Sequence, residues 1–286
     1  MESQPLNENQ LKILATKVRL GIIESVGSAK SGHPGGSLSV ADVLTYLYNR
    51  EMNVDPSNPT WEDRDRFVLS KGHAAPALYA VLANRGYFSV DLLPTLRQVD
   101  SHLQGHPSLG SLPGVDMTTG SLGQGISAAC GMALAAKLNG RSYRTYTIVG
   151  DGESEEGQVW EAAMFAAHRK LDNLCVVLDW NGLQIDGEIT KVMNPTPHKE
   201  KFEAFGFHTI TIDGHDFCQI ADAFAEARET KGRPTVIISR SVKGKGVSYM
   251  ENRPEWHGNA PKGEQLKQAF DELHATLARL EAEEKA

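Results

Sequence analysis

With 286 residues, 40% of them hydrophobic, the chain can bury a full core in one large or two ordinary domains. Its 29 basic and 36 acidic residues give a formal charge of −7, which argues against the concentrated basic face of a nucleic-acid binder. The first ten residues lack the charged-then-apolar pattern of a signal peptide, and no apolar run approaches membrane-spanning length. A soluble, cytoplasmic protein is expected, with no membrane partner. Cys130, Cys175 and Cys218 stand far apart in apolar surroundings and form no CxxC, so they read as buried free thiols.

Along the chain, Asn7 to Lys30 carries Leu11, Leu14, Val18 and Ile22 at helical spacing and predicts an amphipathic helix. It runs into Ser31-Gly32-His33-Pro34-Gly35-Gly36, a loop whose amides can face a ligand, with Ser37 placed to cap a helix from Leu38 to Asn49. Arg66 to Leu69 reads as a short strand that delivers Ser70-Lys71-Gly72-His73 to a helix from Ala74 to Asn84. A helix start favours an anion. Asp100 to Gly125 is a loop with little periodicity, and loops of that length inside compact domains are usually functional. It carries His102, Gly105-His106-Pro107 and the run from Thr118 to Gly125. The alanine-rich stretch from Gly125 to Leu138 predicts a closely packed helix.

Two apolar runs then alternate with a helix. Thr145 to Val149 stops at Gly150-Asp151-Gly152, a helical run opens among Glu153, Glu155, Glu156 and Glu161, and Leu174 to Leu178 stops at Asp179-Trp180-Asn181-Gly182. This crossover predicts an α/β fold, a parallel sheet flanked by helices on both faces, with the ligand crevice outside the carboxyl ends of the strands. Asp151 and Asn181 would lie side by side there. A carboxylate, an amide oxygen and loop carbonyls suit a hard divalent cation that keeps positions for phosphate oxygens. Either dipeptide alone is ordinary turn chemistry; the spacing after two strands favours the site.

Glu188 to Pro197 reads as an excursion across the sheet edge, Lys199 to Phe205 as a short helix and His208 to Ile212 as a strand. Asp216 with Gln219 resembles a capping box for a helix from Phe217 to Lys231, and the preceding His215 has no evident role. Pro234 to Ser239 is another buried strand. Beyond it, Lys243 and Lys245 sit on a glycine-rich loop that either attracts phosphate or is solvated. After Glu255-Trp256-His257-Gly258, Pro261 to Glu284 carries an apolar stripe of Leu266, Phe270, Leu273, Leu277 and Leu280, which docks on this domain or on a partner.

Glycine-aspartate-glycine followed about thirty residues later by asparagine resembles the thiamine diphosphate and magnesium motif. SGHPGG, SKGHA, GHP, TTGSLGQG and the histidine before Gly258, in family order, narrow the resemblance to the transketolases over about Leu14 to His257. The resemblance implies a thiamine diphosphate-binding fold of the pyrophosphate-binding type over residues 1–286. The pyrimidine-binding and carboxy-terminal domains would then be absent from this chain. It further implies that Asp151, Asn181 and the carbonyl of Leu183 hold Mg2+, with Ca2+ or Mn2+ able to substitute. Gly150, Gly152, Glu153, Glu156, His73 and His257 would bind the cofactor's diphosphate end, and the backbone of Gly120 and Leu122 its aminopyrimidine. His33 would stand over the reactive carbon, His106 would bind substrate hydroxyls, and all four histidines would serve catalysis. Glu156 and Glu161 match acids of a subunit-interface network, Ser121 replaces a common proline, and Trp180 replaces a polar residue, implying a drier metal environment.

The implied activity is transfer of a two-carbon ketol unit from a ketose or its phosphate to an aldose or its phosphate. The partner would be a complementary transketolase carboxy-terminal subunit, supplying the glutamate that activates the cofactor in an α2β2 heterotetramer. The rival readings are a deoxyxylulose phosphate synthase-like enzyme and a non-catalytic binding or regulatory subunit. A nicotinamide dehydrogenase is disfavoured, since no GxGxxG follows a strand.

Overall fold

Short runs rich in Val, Ile and Leu become the central strands in the computed structural model, which describes residues 6–285. These are β1 (Arg66–Leu69), β2 (Thr145–Gly150), β3 (Leu174–Trp180), the ribbon strands β4 (Leu183–Gln184) and β5 (Gly187–Glu188), then β6 (His208–Asp213) and β7 (Thr235–Arg240). The main sheet has the order β1-β2-β3-β7-β6, and every neighbouring pair is parallel. The helices are α1 (Glu8–Ala29), α2 (Pro34–Leu38), α3 (Ala41–Tyr46), α4 (Ala75–Arg85), α5 (Gln124–Leu138), α6 (Gly157–His168), α7 (Ile189–Val192), α8 (His198–Ala204), α9 (Phe217–Glu229) and α10 (Glu264–Lys285).

Strand side chains alternate between the two faces, and both faces of the central strands β2, β3 and β7 are covered, so these are buried along nearly their whole length, whereas the edge strand β6 is not. Phe67, Leu69, Tyr146, Ile148, Cys175, Val177 and Ile237 pack into one core with α1, α3, α4 and α9. Val68, Val149, Leu174, Val176, Leu178, Val236 and Ile238 pack into a second with α5, α6 and α8. The register sets Gly150 beside Asp179 and Asp179 beside Ser239, so the carboxyl ends of β2, β3 and β7 form one row.

Several elements depart from the sequence reading. Ser37 caps nothing: the helix begins at Pro34, whose fixed φ suits a first helical position, and the Ser37 hydroxyl donates to the His33 carbonyl. Of the stretch from Glu188 to Pro197, Glu188 ends the β4–β5 ribbon, the Ile189 amide donates to the Gly182 carbonyl, and Ile189–Val192 forms the short helix α7. Trp180 does not dry the Asp151 side, because alternation along β3 sends it to the opposite face, against His198 at 5.3 Å. Cys130 and Cys175 are buried, but Cys218 is exposed on the first turn of α9. The stripe of α10 docks within the chain, burying Leu273 and Leu280 where α10 packs along α1.

Candidate active site

Loops leaving β1, β2, β3 and β7 close around a cavity of about 200 Å³, lined among others by Lys71, His73, Asp151, Asn181, Leu183 and His257. A larger, open groove of about 410 Å³ lies elsewhere, between α1, the Val90–Thr95 turn and α10, and holds none of the motif residues.

At the floor is a buried ion pair the sequence reading overlooked. Lys71 Nζ lies 2.6 Å from Asp179 Oδ2 and 2.8 Å from the Gly36 carbonyl, and both side chains are 1% exposed. Asp179 also accepts from Ser39 Oγ at 2.8 Å, Asn181 Nδ2 at 3.0 Å and the Ser241 hydroxyl. Burial pushes the Asp179 carboxyl up, but Lys71 and these donors outweigh it and hold its pKa below the ordinary value. The available cue was a charged residue closing an otherwise apolar strand: Asp179 ends the run from Leu174 to Leu178, and Lys71 follows β1.

Asp151 sits beside this pair, 3% exposed. Its Oδ1 accepts from the Gly152 amide at 2.8 Å and its Oδ2 from the Gly182 amide at 2.6 Å, which joins the loops after β2 and β3. Burial first, and the nearby Asp179 second, raise its pKa, outweighing the Gly182 and Gly152 amides and the more distant charge of Lys243. Asn181 Nδ2 donates to Asp179, which turns Oδ1 to the other side. Among the described residues no three His, Cys, Asp or Glu converge as a metal cluster. The donor set at Asp151 is instead one carboxylate, one amide oxygen and the Leu183 carbonyl. A buried, electrostatically frustrated carboxylate with two further hard oxygens beside it fits a divalent cation that keeps positions for phosphate.

Lys243 is buried, against the solvated alternative for its loop. Its Nζ donates to the Leu183 carbonyl at 3.0 Å and contacts His257 Nδ1 at 3.1 Å. Burial, then repulsion from Lys71, lowers its pKa. Since the ammonium only donates, His257 Nδ1 accepts and the ring proton resides on Nε2.

Four histidines from four loops converge. Ring centroids of His33 lie 5.3 Å from His73, 6.4 Å from His106 and 5.6 Å from His257, and His73 stacks on His257 at 5.2 Å. Burial and the neighbouring Arg97 push His33 down to about 4, burial and Lys243 push His257 down to about 3, and burial with Lys71 places His73 well below its usual value. Burial also lowers His106, the most exposed of the four. All four rings are therefore neutral near pH 7, able to donate from one nitrogen and accept at the other. His102 is exposed and outside the cluster.

Glu153 braces the site. Its Oε1 accepts from Ser70 Oγ at 2.5 Å and the Gly123 amide at 2.8 Å, and its Oε2 from the Gly150 amide at 2.9 Å. Gly125 makes this closure possible, since a Cβ there would stand 2.5 Å from Ser70 Cα. Gly120 takes φ +151°, a glycine conformation that lays its backbone against the His106 ring. Leu122 and Glu156 line the cavity's rim, and Glu156 and Glu161 are exposed on the α6 side.

Beyond the site, His198 is 2% exposed, neither ring nitrogen has a hydrogen-bond partner among the described residues, and burial then Lys201 push its pKa to about 4. The unfolded ring ionises near 6.5, so it takes up a proton that the folded ring refuses, and stability falls as pH drops from about 6.5 towards 4. His198→Phe is expected to gain on the parent across that window. In urea melts at pH 7.0, 6.0 and 5.0 the gap should widen at each step; a constant gap would show that His198 is not held neutral.

The profile of the family described as "Transketolase, thiamine diphosphate binding domain" matches residues 10–276. A 6-deoxy-6-sulfo-D-fructose transketolase subunit of Clostridium sp. is 47% identical over 271 residues, covering 94% of this chain and 98% of that protein. One of the subunits of the apulose-4-phosphate transketolase of Phocaeicola vulgatus is 41% identical over 96% of this chain and 97% of its own length. Human transketolase is 40% identical, but the match spans 42% of that longer protein. The crystal structure of Campylobacter jejuni transketolase superposes with a TM-score of 0.88 at 33% identity, over 96% of this chain and 46% of that one. A buried oxygen donor set and four imidazoles at the carboxyl ends of a parallel sheet thus coincide with similarity along nearly all of the chain: it belongs to the transketolase family, as an amino-terminal, thiamine diphosphate-binding subunit of a ketol transferase.

Proposed function

We propose that the cavity holds the diphosphate of thiamine diphosphate through Mg2+, with Ca2+ or Mn2+ able to replace it, on Asp151, Asn181 Oδ1 and the Leu183 carbonyl. The observation that carries this reading is Asp151, a buried carboxylate in no ion pair among the described residues, set beside two further oxygen donors. Lys243, His73 and the Nε2–H of His257 face the same cavity and would neutralise and bind the diphosphate oxygens. The backbone of Gly120 and Leu122 would meet the aminopyrimidine.

When bound, thiamine diphosphate supplies the electron sink for the two-carbon unit. The chain's own part is proton handling and hydroxyl binding. His106, exposed beside His33, would bind substrate hydroxyls. The half-buried His33 ring would take the proton of the donor's hydroxyl as the bond beyond the ketose carbonyl breaks, and return it to the acceptor's oxygen. Neutral rings suit that exchange.

A complementary subunit with the pyrimidine-binding half would complete the enzyme, as an α2β2 assembly in the cytoplasm. Relatives of matching length named as subunits support this, as does an outer face of α6 that combines Glu156 and Glu161 with the exposed Met164 and Phe165. The names of those relatives, which specify a sulfonated and a phosphorylated ketose, support a ketose donor with an anionic end.

The purified chain and its complementary subunit should transfer two-carbon units only when mixed, assayed against a panel of ketose phosphates and sulfonates. In the mixture, His33→Ala and His106→Ala each lower turnover roughly a hundredfold while cofactor affinity is nearly kept. Full activity of this chain alone would overturn the partner reading, and a matching loss of cofactor affinity would make the two histidines structural.

A further inference from the structure

His215 lies in the turn between β6 and α9, outside the cavity, yet it joins a buried polar chain. Arg19 on α1 donates to Asp42 on α3 through both terminal nitrogens, Nη1 to Oδ1 at 2.9 Å and Nη2 to Oδ2 at 2.5 Å. Asp42 Oδ2 also meets His215 Nδ1 at 2.7 Å, and Asp42 is 5% exposed. His215 Nε2 accepts from the Val242 amide at 2.9 Å. Arg19 Nε donates to the Lys245 carbonyl at 3.1 Å. The same three side chains therefore grip both ends of the segment from Val242 to Lys245, and between those grips the Gly244 amide is tied to the Gly35 carbonyl at 3.0 Å. Lys243 is the one residue of that segment whose side chain enters the cavity.

The ring's orientation follows from donor and acceptor logic alone. A carboxylate can only accept, so Nδ1 carries the proton; an amide can only donate, so Nε2 must be bare. A ring fixed in that tautomer by a buried carboxylate is a standard way to orient a group one step removed from the chemistry. Asp42, in turn, is kept anionic: burial raises its pKa, but Arg19 and His215 bring it down to about 2.

We propose that His215 is a positioning residue: held in its Nδ1-protonated form by the Arg19–Asp42 pair, it sets Lys243 over the cavity through the Val242 amide. The proposal rests on reading that cavity as the diphosphate site. His215 touches neither cofactor nor substrate; it fixes the backbone from which the ammonium reaches.

A double-mutant cycle tests this on the chain assembled with its complementary subunit, reading the Kd of thiamine diphosphate at saturating Mg2+ by calorimetry. Lys243→Met should weaken binding. His215→Ala should weaken it about tenfold in the parent and leave it unchanged in the Lys243→Met background, since residues acting as one unit are not additive. If Lys243→Met binds as the parent does, the cavity reading itself fails. If Lys243→Met weakens binding while His215→Ala costs nothing, or costs the same in both backgrounds, the cavity reading stands and the positioning role is wrong. Should the alanine variant not fold, His215→Gln and His215→Asn decide. The longer amide can place an oxygen at the Nε2 position and keeps affinity near the parent's, whereas the shorter one reaches only Asp42 and loses it. Equal loss in both would overturn the proposal.

Discussion

Asp151→Ala is expected to abolish metal-dependent binding of thiamine diphosphate, a loss on the order of a hundredfold or more, because it removes the sole carboxylate of the oxygen donor set. Asp151→Asn sharpens the expectation. In the free chain Asp151 is a buried charge repelled by Asp179, with its pKa raised by burial and by that neighbour. A neutral amide relieves both effects while retaining an oxygen for the Gly182 or Gly152 amide. The asparagine variant should therefore melt at or above the parent temperature without cofactor, and show no Mg2+-dependent shift with it. Calorimetric titration at fixed Mg2+ and thermal melts with and without cofactor read the two effects separately. Unchanged affinity in Asp151→Ala would remove the metal assignment.

The opposite pattern is expected at the floor of the site. Asp179→Ala or Lys71→Met leaves one buried charge unpaired, which costs about 3–5 kcal/mol and should lower the melting temperature by roughly 5–8 °C for a chain of this size. Combining Lys71→Met with Asp179→Leu removes both charges and should regain much of that loss, because well-packed apolar groups often replace a buried pair at little cost. Ser39, Ser241 and Asn181 keep the recovery incomplete, since each loses an acceptor. Single variants that melt within a degree or two of the parent would show that water reaches the pair.

The sheet was legible because its strands are buried on both faces. Continuous apolar runs such as Thr145 to Val149 and Leu174 to Leu178 have few other readings when glycine-bounded turns follow them, and the turn chemistry itself carried Asp151 and Asn181. The convergence of His33, His73, His106 and His257 was accessible only through order and motif, since their spacing along the chain has no period. What stayed illegible depended on partners far away in sequence. Lys71 and Asp179 look like an ordinary lysine and aspartate until the sheet pairs β1 with β2 and β2 with β3. His215 gains its meaning from Asp42, 173 positions earlier. Trp180 was placed on the wrong side because strand alternation, not proximity to Asn181, decides where it points.

Glu153 ties the segments after β1 and β2 to the loop before α5 through hydrogen bonds between protein groups alone. The loops that would meet the cofactor are thus braced by the chain itself, and association is expected to need little ordering of them. The encounter should be fast and single-phased, without the slower phase that a conformational change on binding would add. Differences in cofactor affinity among related chains should then appear in how long the cofactor stays rather than in how quickly it arrives.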